Sequence, residues 1–486
     1  MGCSLRAEKR DGLLMAFTLL LMAGRPAEAG PCTHYASPTG GGNGLSQASP
    51  FRIGDFWAVA RPGDTLCLLD GTYTFSAGRS MIQPPDTVQG APGQSITIRA
   101  LSEGNVLLDG EFQTAPVSLG EANDYLIIEG LSARNGRFYV YHIGADEVII
   151  RRCIGWDTWI GDGQEGGDAI FSVAAPYTGG AQNVLVEDSA GWGIARKIFV
   201  APQNNVRGAD GRNITFRRNW GSFTRWPPQT SQPAHAFELG YNSRFNRYEN
   251  NLMAWDMAPG GNSPQTAVFA MFHDDNGSSD TIDLNSEALG TIVYLQKGYQ
   301  YTSSAMVEAG NAHYARIKDL VAVAEPGGAW SQTPRPVTTR LTIHTQNPSS
   351  PFNGTIARDV FVDNVIGIGG LPNLIDWPTA PGGTPPRWGA TIAHAIGSGT
   401  SIFSEVPGIC FRYIDGQLTN QPLWPWPMND RIKAAMILSG RPSVDVTATV
   451  ERLLGSIPAA CKAGLSVVAG DLNQDGKRTL ADVRLL

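Results

Sequence analysis

A chain of 486 residues is longer than one compact core usually serves, so several domains or an elongated repeat is expected. Hydrophobic content of 42% with 17% charged residues excludes bulk disorder, and a net charge of −7 argues against nucleic acid or an anionic membrane as the main partner. The 57 glycines and 32 prolines imply many turns, as a stack of short strands requires.

The chain opens on an export pattern. Arg6, Lys9 and Arg10 precede an apolar run from Leu13 to Ala23, and Ala27-Glu28-Ala29 offers a small-x-small cleavage site. That run is too short to span a bilayer, and no later run approaches the roughly 18 apolar residues a span needs. Residues 1–29 therefore read as a signal peptide, and the expectation is a secreted protein with no membrane span. Removing them takes away four cations and three anions, so the body stays acidic. A groove on an acidic protein can still be locally basic and accept an acidic polysaccharide.

Residues 30–75 read as an N-terminal cap and first coil. Phe51 to Ala60 suits a short amphipathic helix, and PGDTLCLLDGTYTF supplies a turn and a first strand. Residues 76–400 carry the repeat. Seven segments share one template of a polar or small residue, alternating apolar positions, then a small or polar residue often followed by Gly-Trp. They begin at Asn123, Ala145, Ala181, Gly211, Ser243, His313 and Ala357. Matched positions Leu126, Val148, Val184 and Ile214 are spaced by a coil of about 22 residues with loops of variable length. Within each coil, inward side chains such as Leu126 and Ile128 or Val184 and Val186 alternate with outward ones. One coil cannot bury its own apolar face; stacked coils can. The predicted fold is all-β, a right-handed parallel β-helix, with Asn123, Asn183 and Asn213 at its corners.

An open solenoid needs covered ends. Residues 401–465 read as a small helical C-terminal cap, with one helix from Asn429 to Gly440 and another from about Asp445 to Leu454. Five cysteines follow the signal. Cys32 and Cys67 flank the first folded segment, and Cys410 and Cys461 the last, so each pair is placed to form a clip in an exported protein. Cys153 lies inside a repeat and reads as a small buried residue.

The opening HYASPTGGGNG, the later RPGDTLCLLDGTYTF and the repeated strand–polar–Gly-Trp coils resemble the pectate-lyase-like β-helix superfamily over residues 33–400. The opening is most similar to the lysine-dependent pectate lyases and their bacterial relatives. That resemblance implies a lyase in which acidic side chains on neighbouring coils hold calcium against a uronate carboxylate. A basic residue then removes the C5 proton and the C4–O bond breaks by β-elimination. The same fold hosts hydrolases, epimerases and non-catalytic adhesins, so a non-catalytic carbohydrate-binding or cell-surface solenoid stays open as a second reading.

The candidate chemistry sits on the coil exteriors. WDTWIGDGQEGGD, from Trp156 to Asp168, carries Asp157, Asp162, Glu165 and Asp168, and GWGIARK leaves the next coil at the equivalent point. This predicts Lys197 as the base, Arg196 as a charge stabiliser, and Asp157, Asp162, Asp168 and Trp192 as substrate contacts. The family's own acidic motif is not matched residue for residue. Trp156, Trp192, Trp220 and Trp255 fall at nearly equivalent positions, which suits either a row of sugar platforms or an internal aromatic stack. HDDNGSSDTID, with His273, Asp274, Asp275, Asp280 and Asp283, loosely resembles a polygalacturonase-like hydrolase but lacks that family's Asn-Thr-Asp and Gly-His-Gly motifs.

The segment 466–486 contains GDLNQDGKRTLAD, similar to a dockerin or EF-hand calcium loop. Asp471, Asn473 and Asp475 stand at positions 1, 3 and 5, Gly476 at 6, Lys477 at 7 through its carbonyl, and Asp482 at 12. Hard oxygen ligands on alternate residues of a tight loop are what Ca²⁺ requires. Only one of a dockerin's two repeats is present, which counts against cohesin docking. The loop predicts uptake of one Ca²⁺ by the intact protein in calorimetry, and its loss in a variant truncated at Ser466; equal uptake by both refutes the assignment.

Overall fold

Alternating apolar residues in short segments form strands whose backbone groups must find partners outside the segment. In the computed structural model they find them one coil away. The structure describes residues 30–75, 80–158, 169–173, 181–201, 211–225, 237–239, 243–255, 269–272, 285–295, 300–301, 307–310, 315–324, 329–330, 341–342, 361–368, 375–376, 387–388 and 402–462. Its strands pair in parallel from coil to coil and give a right-handed parallel β-helix with three faces.

The first face runs through Ile96–Ala100, Leu126–Glu129, Ile149–Arg151, Leu185–Glu187, Thr215–Arg217, Arg247–Glu249 and Glu287–Leu289. Ile127 faces Ile149, Ile149 faces Leu185 and Leu185 faces Thr215, so the spacing read from the repeat is the register observed. The second face includes Ser132–Gly136, Ile154–Thr158, Ala190–Ile194, Trp220–Arg225 and Leu252–Trp255. The third face runs from Val117–Leu119 through Tyr139–Ile143, Ala169–Val173, Lys197–Ala201 and Phe237–Leu239 to Phe269–Phe272 and beyond. Leu126, Ile128, Val148, Ile150, Val184, Val186, Ile214 and Phe216 all lie in the interior, as does Ile317.

First and second faces meet at a corner made by a single left-handed residue: Arg152, Asp188, Arg218, Asn250, Asp319 and Asn364 all have φ between 50° and 55°. The next residue turns inward, and there a polar ladder stacks. Ser189 N–H donates to Asn219 Oδ1 at 2.9 Å, and Asn219 N–H to Asn251 Oδ1 at 3.0 Å. Asn219 Nδ2 donates to the Val186 carbonyl at 2.9 Å, and Asn251 Nδ2 to that of Phe216 at 2.8 Å. These amides satisfy the turn's backbone groups where no water reaches. At the opposite corner Asn213 donates to Asn183, and Asn183 to Glu147.

The Gly-Trp dipeptides acquire a reason. Gly155, Gly191 and Gly221 point into the interior of the second face, where a Cβ on Gly155 would stand 2.7 Å from Ile170 Cγ2. Glycine lets the third face pack closely. The tryptophan that follows Gly155 or Gly191 points outward, as does Trp220, which precedes Gly221. Trp156 and Trp192 stack at 5.6 Å, and Trp220 joins them at 5.9 Å.

That outward row is not exposed. Ile154, Trp156, Ala190, Trp192, Trp220, Leu252 and Tyr294 form a second core with Ile409, Trp424, Trp426, Ile432, Met436 and Val450. The segment expected to close the end of the solenoid therefore lies along its flank. It contains helices Asn429–Leu438 and Val446–Leu454, the second capped by Asp445, whose carboxylate accepts from Ala448 N–H at 2.8 Å. It also contains a hairpin, Phe411–Ile414 with Gln417–Pro422, turned by Asp415-Gly416. The corner residues hold it. Arg431 donates to the Arg152 carbonyl at 2.7 Å and reaches Glu103 at 3.1 Å. Asn250 exchanges bonds with Tyr413 N–H and the Gly408 carbonyl, and Asp319 accepts from Tyr413 Oη at 2.7 Å. Disulfides Cys32–Cys67 and Cys410–Cys461 form, and Cys153 is buried and free. The N-terminal helix is shorter than expected, covering Ile53–Phe56.

Removing the Trp192 indole opens a cavity between solenoid and flank segment. Trp192→Ala should cost about 3–5 kcal/mol in urea unfolding, whereas a surface sugar platform would change stability by no more than about 0.5 kcal/mol.

Candidate functional site

The third face separates its side chains clearly. Val140, Tyr141 and Ile143, then Ile170, Phe171 and Val173, then Ile198, Phe199 and Ala201 belong to the interior. Tyr141, Phe171, Phe199 and Phe237 stack there in succession, 4.5, 4.7 and 5.9 Å apart. Two consecutive residues turn inward in each strand, and the ladder skips the first of them. The residues left outside the core are Tyr139 and His142, Ala169 and Ser172, and Lys197 and Val200.

Register aligns them. Tyr139, Ala169 and Lys197 stand in one row across three coils, and His142, Ser172 and Val200 in the next outward row. Further along the same row the backbone places Glu238, Ala270, Glu308, Thr342 and Asp376. Tyr139 stacks on the His142 imidazole at 4.5 Å and 17°. Arg137, exposed at the rim, lies over the Phe138 ring at 5.1 Å.

Two polar atoms here are buried with no hydrogen-bond partner, His142 Nδ1 and Ser172 Oγ. They belong to facing residues of adjacent strands. Each such atom costs about 1–3 kcal/mol when left unpaired. Burial lowers the His142 pKa to about 4, so its ring is neutral at pH 7. Lys197 is 1% exposed, and Arg196 before it is half-buried.

The residues singled out from the sequence distribute differently from the expectation. Lys197 lies on this outer strip. Asp157 does not serve it: its Oδ1 accepts from Ile194 N–H at 2.8 Å and pairs with Arg441 at 2.8 Å, which ties the flank segment to the solenoid. Trp192 is fully buried against Trp156, with its indole N–H donating to Ser439 Oγ at 3.2 Å, so it offers no surface to a sugar. Asp162, Glu165 and Asp168 lie outside the described residues, as do the 273–283 stretch and the calcium-loop residues Asp471, Asn473, Asp475, Lys477 and Asp482. Among the described residues no group of three or more His, Cys, Asp or Glu converges, and no helix is long and apolar enough to cross a membrane. Sequence reading missed Tyr139, His142 and Ser172. Their signal was available: YVYHI and AIFSV each carry one polar residue in an otherwise apolar strand following a Gly-containing second-face strand.

The buried imidazole gives the site a pH signature. In the unfolded chain it titrates at its ordinary value of 6.5, and in the folded protein at about 4. Between those values the unfolded state binds more protons, so this contribution to stability is present above about pH 6.5 and falls away toward pH 4. Allowing for partial exposure, the parent should lose about 2 kcal/mol more than His142→Phe between pH 7 and 4 in denaturant unfolding. Equal losses would place the ring in water.

No family model matches the chain, and no curated protein sequence matches it. Among solved structures it is similar to pectate lyase Pel9A, with 12% identity over 75% of this chain and 78% of that one and a TM-score of 0.41. A rhamnogalacturonan lyase gives 14% identity over 75% and 87%, with a TM-score of 0.44. The polysaccharide lyase Pedsa3628 from Pseudopedobacter saltans gives 11% over 74% and 94%, with a TM-score of 0.40.

Proposed function

We propose that this chain is a secreted polysaccharide lyase that cleaves a uronic-acid-containing polymer by β-elimination, with Lys197 as base and Arg196 as charge stabiliser. The observation that carries the reading is the position of Lys197. It stands on the outer row of the third face, beyond Ala169 from Tyr139 and beside the row of His142 and Ser172. A cation next to aromatic and neutral polar groups suits a sugar acid, whose ring stacks and whose carboxylate needs a positive partner.

The chemistry balances without further reactants. The neutral Lys197 amine takes the C5 proton, and the electron pair left on C5 forms the C4–C5 double bond. The C4–O bond breaks, and the departing glycosidic oxygen takes a proton from water or from the Lys197 ammonium. Arg196 offsets the charge that spreads onto the carboxylate as the proton leaves. Calcium at residues 471–482 belongs to the same proposal as a bound ion of the C-terminal loop, and no step of the elimination is routed through it. Export through residues 1–29 delivers the protein to such polymers outside the cell.

One observation favours a non-catalytic binder instead. Asp157, the carboxylate expected beside Lys197, is committed to Arg441 and the Ile194 amide. A panel of uronate polymers separates the two readings by the ultraviolet absorbance of unsaturated products. The lyase reading expects cleavage of at least one polymer and loss of turnover by a thousandfold or more in Lys197→Ala, measured on protein whose circular dichroism matches the folded parent. No cleavage across the panel, or full activity in that variant, would leave the binder.

A further inference from the structure

We infer that the first face carries a separate, non-catalytic glycan site, a groove that takes an extended, uncharged, β-linked polysaccharide chain against Tyr125. The inference rests on the reading above only for carbohydrate as the partner class, and it keeps the acidic polymer out of this groove.

The groove lies on the outer side of the first face and measures about 540 Å³, within the roughly 300–1,000 Å³ of ordinary ligand sites. The turn at Pro92 and Gly93 lines one end. Register sets the rest. Ile149 and Leu185 are ladder partners and, both half-buried, form an apolar floor. Two residues earlier on each coil, Tyr125, Glu147 and Asn183 hold the left-handed corner, with φ of 57°, 56° and 56°. The Tyr125 N–H donates to the Asp146 carbonyl and the Glu147 N–H to that of Gln182, which keeps these corners one coil apart. From Ser95 to Asn183 the groove crosses three coil spacings, roughly 14 Å. One coil spacing is close to the rise of one sugar residue in an extended β-1,4-linked chain, so successive rings meet successive coils.

The aromatic corner speaks for a sugar. Asparagine suits a left-handed corner, as at Asn183 and Asn213, whereas a bulky ring is strained there. Tyr125 takes that corner nonetheless, half-buried, and its side chain has no ring, cation or hydrogen-bond partner among the described residues. Phe245 stands exposed at the same corner two coils beyond Asn183. A ring held at the edge of an apolar floor meets the C–H face of a sugar whose hydroxyls are equatorial. Asn183 keeps a donor and an acceptor position beyond its bonds to Glu147 and Asn213, and these suit the hydroxyls at the ring's rim.

Charge decides which sugar. Glu147 is the charged residue of the groove, and it belongs to an acidic group with Asp124 and Asp146. Burial, then Asp124 and Glu147, hold the Asp146 carboxyl above its usual range. Across the floor Arg151 is paired with Glu129 at 3.1 Å. A uronate chain would set its carboxylates against this group without a cation to balance them, and an uncharged chain would not. The groove would then hold the protein on a neutral polymer while the third face meets the acidic one.

The test titrates the full chain with cellohexaose and with hexagalacturonate in calorimetry. Cellohexaose should bind. Tyr125→Ala should weaken it about tenfold, as loss of one stacked ring does, and Tyr125→Phe should bind like the parent, each variant matching the parent's circular dichroism. No binding of cellohexaose, or parent-like affinity in Tyr125→Ala, overturns the groove. Hexagalacturonate bound in its place and lost in Tyr125→Ala overturns the choice of an uncharged chain. A dimer in sedimentation that Tyr125→Ala dissolves assigns the groove to a second copy and overturns the site. The two proposals can fail separately. Tyrosine-dependent binding of cellohexaose with no uronate polymer cleaved keeps the groove and ends the lyase reading. Uronate cleavage without cellohexaose binding ends the groove and keeps the lyase.

Discussion

Every coil of this protein leaves a row of backbone donors and acceptors on each edge that only another coil can pair. Helices close their own hydrogen bonds, but these short strands cannot, so register between coils is the constraint from which the rest follows. Register stacks Tyr141, Phe171, Phe199 and Phe237 in the interior and Ser189, Asn219 and Asn251 at the corner. It also brings residues from distant parts of the chain into rows on the exterior. A site on such a scaffold is a property of rows, with each coil supplying one or two side chains.

The exterior faces have been given different tasks. From Ile154 to Ile366 the outside of the second face is largely apolar and packs against residues 402–462. Its cover is attached at the left-handed corner residues, through the backbone carbonyl of Arg152 and the side chain of Asn250. Arg152 and Asn250 anchor it through Arg431, Gly408 and Tyr413, and Arg217 on the first face adds a 2.7 Å ion pair to Asp415. The first face carries rows of alternating charge, such as Glu187, Arg217 and Glu249, which largely neutralise one another. The third face differs in kind. Its outer rows carry His142, Ser172 and Lys197, without the alternating ion pairs of the first face or the apolar cover of the second.

Much of this architecture was legible in the residues. Period-two patterning around Leu126, Val148, Val184 and Ile214 is dictated by inward packing, so register could be read from it. Disulfide pairing was legible as well, since Cys32 and Cys67 flank the first folded segment and Cys410 and Cys461 the last. The flank position of residues 402–462 was not, because a helix with an apolar side records that it must be covered and not by what. The hairpin turned by Asp415-Gly416 carried a local signal, but its partners Arg217 and Glu249 lie more than 160 residues away. Of the candidate residues, Lys197 was singled out by its place after a Gly-Trp corner, and it stands on the third face. Trp192 and Asp157 were misplaced for one shared reason: the exterior of a solenoid has three faces, and sequence spacing does not say which of them another part of the chain will cover. Tyr139, His142 and Ser172 escaped notice because a lone polar residue in an apolar strand is ordinary until its neighbours in the ladder are known.

The proposed function requires that the outer rows of the third face, and not those of the other two, form the working surface. A crystal structure of the protein soaked with a saturated uronate oligomer tests it most directly. The proposed function predicts the oligomer on the third face, with a uronate carboxylate against Lys197. An oligomer seated on the first face along Tyr125, Ile149 and Leu185, or found only against the flank segment, would contradict it.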